Sequence, residues 1–307
     1  MPALPEFPGS ALITVADRVV AEVTAADCPP GTRFQLASVS KQFTATAVLL
    51  LARGGALALD DPLGRWFGTS PPEWRELTLH QLLTHTSGIG HWDDYPMIDL
   101  ARPVEWAELL DTFHRLPPLF APGARWHYSS PAYVLLAQVA QRVADQPYAD
   151  LLAERVFAPA GLAQTFAGSG AGHPDLARGH GPDGRPVPSW ELDVVGMGAG
   201  DVWSTTGDML TWLGVLRDGR LLDEPYRTLM VTAREPTGLE PKQDGYGYGW
   251  FTGTVGGRPW FHHSGMNAGF ITFAGCLPGE HRRIVLLSNS ETVFPATFQA
   301  LLAAALD

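Results

Sequence analysis

Lysine is almost missing from this 307-residue chain: 19 of its 21 basic residues are arginine, and only Lys41 and Lys242 are lysine. Basic charge is scarce altogether, with 32 acidic residues giving a formal net charge of −11. That balance argues against nucleic acid or an anionic membrane as the main partner. Charged residues of all kinds make up 17%, below the usual share of about 25%, while 45% are hydrophobic, so disorder is excluded and a large core is expected. Two cysteines, Cys28 and Cys276, are too few for a disulfide framework and are expected as reduced structural thiols. The first twenty residues lack a basic stretch followed by an apolar one, so no signal peptide is visible, and the apolar run Val48–Leu51 is too short to span a bilayer. A cytoplasmic protein is expected, without repeats or low-complexity tracts. Where Arg is the default cation, a Lys in apolar surroundings invites a chemical question. Arg stays protonated, whereas a buried Lys sheds its proton readily and becomes a base.

Residues 11–23 read as two short strands turning near Asp17–Arg18. From Ser38 to Arg53 the chain has helix length and is apolar on nearly every face, the mark of a buried helix, and Gly54–Gly55 stop it. Helical patterns at 78–85, 103–116, 130–144 and 148–161 then alternate with Pro/Gly-rich loops, and 168–200 is mostly loop. A helix over 204–218, with Ser204 or Thr205 as its cap, precedes strand-like runs at 246–251, 258–263, 269–277 and 282–289. A last apolar helix is expected over 295–306. Strands at both ends and helices between them predict an α+β fold. Its antiparallel sheet is formed by both termini (1–62 plus 200–307) and flanked by helices, with a mainly helical subdomain (63–199) inserted into the same single unit.

Three short motifs carry chemistry. Ser38 and Lys41 are spaced i, i+3, which puts both side chains on one helical face. Ser38 falls at the helix start, where backbone N–H groups lack partners, and a desolvated Lys41 is a candidate base for its hydroxyl. Ser40 is the rival hydroxyl but points to another face. Tyr128-Ser129-Ser130 stands before Pro131 at a helix start, where a Tyr can relay a proton. His263-Ser264-Gly265-Met266 ends a strand-like run; the Gly permits close backbone approach, and the Met266 N–H is placed to donate to an oxyanion. Alone, each motif also suits a bland role: a cap with a snorkelling Lys, a core aromatic with a Ser cap, and a polar turn.

Together, in this order, they resemble the serine β-lactamase / penicillin-binding protein superfamily, in the branch of class C β-lactamases, DD-carboxypeptidases, D-aminopeptidases and esterases. FQLASVSKQFTA, LTLHQLLTHTSGIG, PGARWHYSSPAYVLLA, GAGDVWSTTGDM and YGYGW extend the resemblance over nearly the whole chain. It implies the β-lactamase/transpeptidase-like fold and an acyl-enzyme mechanism. Ser38 would be the nucleophile, Lys41 and Tyr128 the proton carriers, and the N–H groups of Ser38 and Met266 the oxyanion hole. Ser130, Ser264 and Gly265 would border the substrate, and His263 would hold its carboxylate or tune Tyr128. Ser130 replaces the Asn usual in the second motif. A hydroxyl is shorter and lacks the NH₂ donor pair that grips a substrate amide.

Other readings compete. His85, His91, Asp93 and Asp94 cluster in HTSGIGHWDD, but no metal-ligand spacing is present, so neither metal nor cofactor is expected. No Gly-x-Ser-x-Gly elbow supports a Ser-His-Asp hydrolase, and VGMGAG (195–200) lacks the following Lys of a nucleotide loop. Trp92, Trp126 and Trp250 are candidates for an acyl pocket, though ordinary packing accounts for most of the ten Trp. The expected function is a serine hydrolase of small carboxylic esters or D-amino-acid amides and peptides, acting on a small-molecule or short-peptide substrate, with no oligomeric state assigned. A β-lactamase or D-alanyl-D-alanine carboxypeptidase is the alternative, and a catalytically inactive sensor or scaffold the alternative of another class.

Overall fold

The computed structural model describes residues 7–306 apart from 69–71, 100, 101, 103, 188–194, 240–242, 294–298, 301, 302 and 304. Eight strands form one antiparallel sheet in the order β2 (Arg18–Thr24), β1 (Gly9–Val15), β11 (Arg282–Ser288), β10 (Phe270–Leu277), β9 (Arg258–Asn267), β8 (Phe251–Val255), β7 (Gly245–Tyr246), β6 (Glu235–Pro236). Early and late segments of the chain pair as its second and third strands: Gly9 lies opposite Ser288, and Thr14 opposite Arg283. Ala16 and Asp17, both at positive φ, make the two-residue turn between β1 and β2, where the right-handed twist of the strands demands that conformation.

β10 (FITFAGCL) is buried along its whole length, because both faces of the sheet are covered. Phe270 and Ala274 point into the larger core with Val285 and Leu287. Phe273 and Leu277 point into a smaller one with Ile13, Trp260, Ile284 and Leu286. The alternating residues of β11 thus serve two layers.

Helix α1 (Lys41–Arg53) runs through the larger core. Ten of its 13 residues are buried, so its polar side chains must find partners inside the protein. Gln42 Oε1 accepts from Trp212 Nε1 at 2.8 Å, and Thr44 Oγ1 donates to the Gly198 carbonyl at 2.6 Å. Between the sheet's two halves lie α2 (Pro72–Arg75), α3 (Leu79–Leu83), α4 (Trp106–Arg115), α5 (Ser130–Ala144), α6 (Tyr148–Leu152) and, after one π-helical turn, α7 (Ala158–Ala160). Helix α5 packs on α1, while α8 (Thr206–Asp218) packs on β1 and β11, and α9 (Tyr226–Val231) follows it. A small sheet, β3 (Phe34–Gln35), β5 (Val202–Ser204) and β4 (Phe166–Ala167), ties the approach to α1 to the 196–202 segment.

Several expectations shift in detail. The helix read from Ser38 begins as a 3-10 turn, Ala37–Ser40, and becomes α-helical at Lys41. The run 246–251 is not one strand: β7 ends at Tyr246, the chain turns with Gly249 at positive φ, and β8 starts at Phe251. Thr205, not Ser204, caps α8, accepting from the Asp208 N–H at 3.1 Å. The helix expected over 295–306 falls largely outside the described residues. No described helix is long and apolar enough to cross a membrane.

Candidate active site

The chain turns sharply into α1. Ala37 adopts φ +48°, a left-handed conformation that residues with a Cβ avoid. Leu36 is pinned on both sides: its N–H donates to the Val202 carbonyl, and its own carbonyl accepts from Thr272 Oγ1, each at 2.7 Å. This turn leaves the Ser38 side chain partly exposed, while Val39 and Ser40 are buried. Ser40, the rival hydroxyl, is used internally and accepts from the Val202 N–H at 3.0 Å.

Lys41 is 0% exposed, and its Nζ reaches three oxygens: Ser38 Oγ at 3.0 Å, Ser130 Oγ at 3.1 Å and the Ala199 carbonyl at 2.9 Å. Burial drives its pKa well below that of an ordinary lysine, and the nearby Asp201 carboxyl only partly counters this. The Ala199 carbonyl is presented by a tight glycine turn. Gly196 O accepts from the N–H groups of Ala199 and Gly200, and Gly198 N–H donates to Asp201 Oδ1 at 3.0 Å. Gly198 sits at φ +74°, where a Cβ would strike Ala137 and the Tyr133 carbonyl. The glycines of VGMGAG therefore shape a ledge for Lys41.

Tyr128 lies against Lys41, with Nζ 4.9 Å from the ring centre. Its hydroxyl is buried and closes no hydrogen bond of ordinary geometry. Ser38, the polar group beside it, offsets only part of the burial, which holds the phenol above its usual pKa and protonated. Ser129 caps α5: its Oγ accepts from the Ala132 N–H at 3.1 Å and donates to the Gly90 carbonyl at 2.9 Å.

On β9, Gly265 makes the close approach its residue type allows. An added Cβ would lie 2.4 Å from the Leu36 carbonyl and 2.9 Å from the Ser38 amide. Pairing with β8 ends at His262, so the stretch from His263 to Asn267 has no described strand on that side. Met266 is 70% exposed beside a cleft of about 280 Å³ that Ser38, Ser130, Trp92 and Asn267 also line. Ser264 is half-buried next to it.

His263 departs from one expected role. It is buried, its Nδ1 donates to the Ser264 carbonyl at 2.6 Å, and its Nε2 accepts from the Tyr246 hydroxyl at 3.0 Å. Burial holds it well below the usual imidazole pKa. A neutral ring with both nitrogens engaged offers no cation to a substrate carboxylate.

The HTSGIGHWDD residues serve as hydrogen-bond partners. His85 Nδ1 accepts from the Ser129 N–H and His91 Nδ1 from the Ser130 N–H, both at 3.1 Å, and Asp94 Oδ2 pairs with His127 Nε2 at 2.8 Å. Among the described residues no three His, Cys, Asp or Glu side chains gather as a metal would require. Trp92 lines the cleft, Trp250 is core, and Trp126 packs on Tyr246 and Phe251. Ala199, Asp201 and Asn267 join the site without having been singled out. Asn267 Nδ2 bridges Gln35 Oε1 and the Gly200 carbonyl at 3.0 and 3.1 Å, locking β9 to the glycine turn.

The family model described as Beta-lactamase matches residues 2–306. The chain belongs to the Beta-lactamase family. It is a hydrolase of that serine-hydrolase family. It is similar to Esterase EstB of Burkholderia gladioli, 29% identical over 73% of this chain and 67% of that protein. Among solved structures it resembles a penicillin-binding protein from Bacillus halodurans, with TM-score 0.83, 26% identity and coverage of 97% of this chain and 95% of that one. It is equally like the D-amino acid amidase from Ochrobactrum anthropi SV3 complexed with D-phenylalanine, with TM-score 0.82, 26% identity and coverage of 96% and 93%.

Proposed function

We propose that the protein hydrolyses small carboxylic esters or D-amino-acid amides through an acyl-enzyme on Ser38. The observation that carries this reading is a buried lysine amine 3.0 Å from a serine hydroxyl that opens on a cleft. Desolvation favours the neutral amine, so the Lys41 lone pair takes the Ser38 proton as Oγ attacks the carbonyl carbon. The N–H groups of Ser38 and Met266 hold the oxyanion. Tyr128, kept protonated by burial, donates to the departing alcohol or amine and is reprotonated through Lys41. Water gives a proton to the Lys41 amine as it attacks the ester on Ser38, and that proton passes to Ser38 Oγ as the acid leaves.

Cleft charge supports this substrate class. Asp93 and Glu291 line the cleft, no Arg or Lys does so among the described residues, and His263 is neutral. A β-lactam or a D-alanyl-D-alanine terminus carries a carboxylate and finds no cation there. A neutral ester, or an amide with a free ammonium group, suits an acidic wall. The EstB and amidase similarities agree with both options.

The test is a panel of p-nitrophenyl acetate, D-phenylalanine amide, a D-alanyl-D-alanine peptide and nitrocefin, with intact-mass analysis of trapped intermediates. Turnover of the ester or the amide is expected, with an acyl adduct on Ser38 and none in Ser38→Ala. Brisk nitrocefin turnover with both inert overturns the substrate class. Absence of any adduct or burst overturns catalysis itself and favours a sensor or scaffold.

A further inference from the structure

We propose that His85 and His91 are positioning residues for acylation: their neutral imidazoles accept consecutive backbone N–H groups and so fix the Tyr128–Ser130 segment against Lys41. This rests on the reading that Tyr128 and Ser130 work beside Ser38.

A helix N-terminus leaves its first N–H groups without intrahelical partners. At α5 every one of these is accounted for. Pro131 has none, the Ala132 N–H goes to Ser129 Oγ, and the Ser130 N–H goes to His91 Nδ1. The amide just before the helix, Ser129 N–H, goes to His85 Nδ1, and the His127 N–H goes to the His85 carbonyl at 2.9 Å. The residues on either side of Tyr128 are thus both tied to His85, and the backbone between them has little room to rotate. The His85 ring also lies on Tyr128, with centres 4.5 Å apart, and against Tyr246 at 4.6 Å.

Two features show that ordinary core packing does not account for His85. Its φ is +60°, a conformation that costs a residue with a Cβ about 1–2 kcal/mol. Its Nε2 is buried with no hydrogen-bond partner among the described residues. Glycine would relieve the strain and an apolar residue the unpaired atom, but neither would accept the Ser129 N–H. Only an unprotonated imidazole nitrogen can accept. Burial keeps both rings neutral, His85 well below its ordinary pKa and His91 at about 4. The groups facing His85 are Lys41, His91, His127 and His263, and those facing His91 are Lys41, Asp93, Asp94 and His127.

Asparagine is the informative replacement. Its Oδ1 sits one bond beyond Cγ, as Nδ1 does in histidine, and Asn tolerates positive φ. His85→Asn and His91→Asn should keep kcat on p-nitrophenyl acetate within about threefold of wild type. His85→Leu and His91→Leu should lose ~10–100-fold in kcat, with the His85→Leu KM nearly unchanged, because the acceptor is gone and the segment shifts. Leu variants with wild-type kcat, or folded Asn variants no better than Leu, overturn the proposal. If His85→Leu does not fold, the half-buried His91 pair decides alone: unchanged kcat in folded His91→Leu refutes it. Wild-type protein that forms no adduct on Ser38 would instead refute the catalytic reading, and the two failures are distinguishable.

Discussion

Replacing Gly265 by alanine tests the close approach of β9 to the Ser38 turn. The new Cβ would lie 2.4 Å from the Leu36 carbonyl oxygen, 2.5 Å from Thr272 Oγ1 and 2.9 Å from the Ser38 amide. Thr272 Oγ1 donates a hydrogen bond to the Leu36 carbonyl at 2.7 Å, so neither atom swings away freely, and the third belongs to the strained turn before α1. Carbon contacts settle near 3.5 Å, so strand β9 and the Ser38 turn must part by about 1 Å. Overpacking of this kind costs roughly 1–3 kcal/mol, which in a chain this long lowers Tm by only a few degrees. Catalysis suffers far more. A displacement of about 1 Å between oxyanion donors and nucleophile costs ~100-fold in rate. Steady-state hydrolysis of p-nitrophenyl acetate, measured beside calorimetric melting, should therefore show a folded protein with kcat down ~100-fold. A folded Gly265→Ala enzyme within about threefold of wild-type kcat would refute the argument that β9 and the Ser38 turn form one catalytic cradle.

Further predictions concern neighbouring residues. Ser40→Ala strands the buried Val202 N–H and should cost about 1–3 kcal/mol in urea unfolding, yet leave fluorophosphonate labelling of Ser38 intact; loss of the label would point to the wrong hydroxyl. Tyr128→Phe removes a buried hydroxyl that closes no hydrogen bond of ordinary geometry among the described residues, so Tm should hold or rise while kcat falls. The loss should be deeper on a methyl ester, whose leaving group needs a proton, than on a p-nitrophenyl ester. Burial raises the Asp201 carboxyl to about 7, so folding favours its protonated form. Its contribution to stability is full below about pH 4, falls as pH rises, and is lost above about pH 7. The Tm of wild type should therefore drop from pH 5 to pH 8 relative to Asp201→Asn; parallel curves would contradict this.

What the sequence reveals follows the range of each interaction. Ser38 and Lys41 are legible because their spacing is local, and α1 because its apolar residues cover every face. The β1–β2 hairpin is legible from alternation and turn. Strands β3, β4 and β5 have only two or three residues, too few to display a period. Aromatic alternation in YGYGWF hides a break that Gly249 makes by lying against the Lys41 carbonyl, where a Cβ would come within 2.7 Å. The engagement of His263 with Tyr246, of Asn267 with the glycine turn, and of His85 and His91 with residues some forty positions later leaves no local pattern. Those pairings exist only once the fold brings distant segments together.

The meeting of the two chain ends within one sheet also governs how the protein is made. Hairpin β1–β2 leaves the ribosome well before β11, which covers the inner edge of β1 and is synthesised some 270 residues later. Until then that edge is open to other strands, and nascent chains are prone to associate through it. Native pairing here has very high contact order, so the sheet closes slowly and only after translation has passed residue 288. Expression yield should respond to chaperone supply and growth temperature more than the stability of the finished fold would suggest.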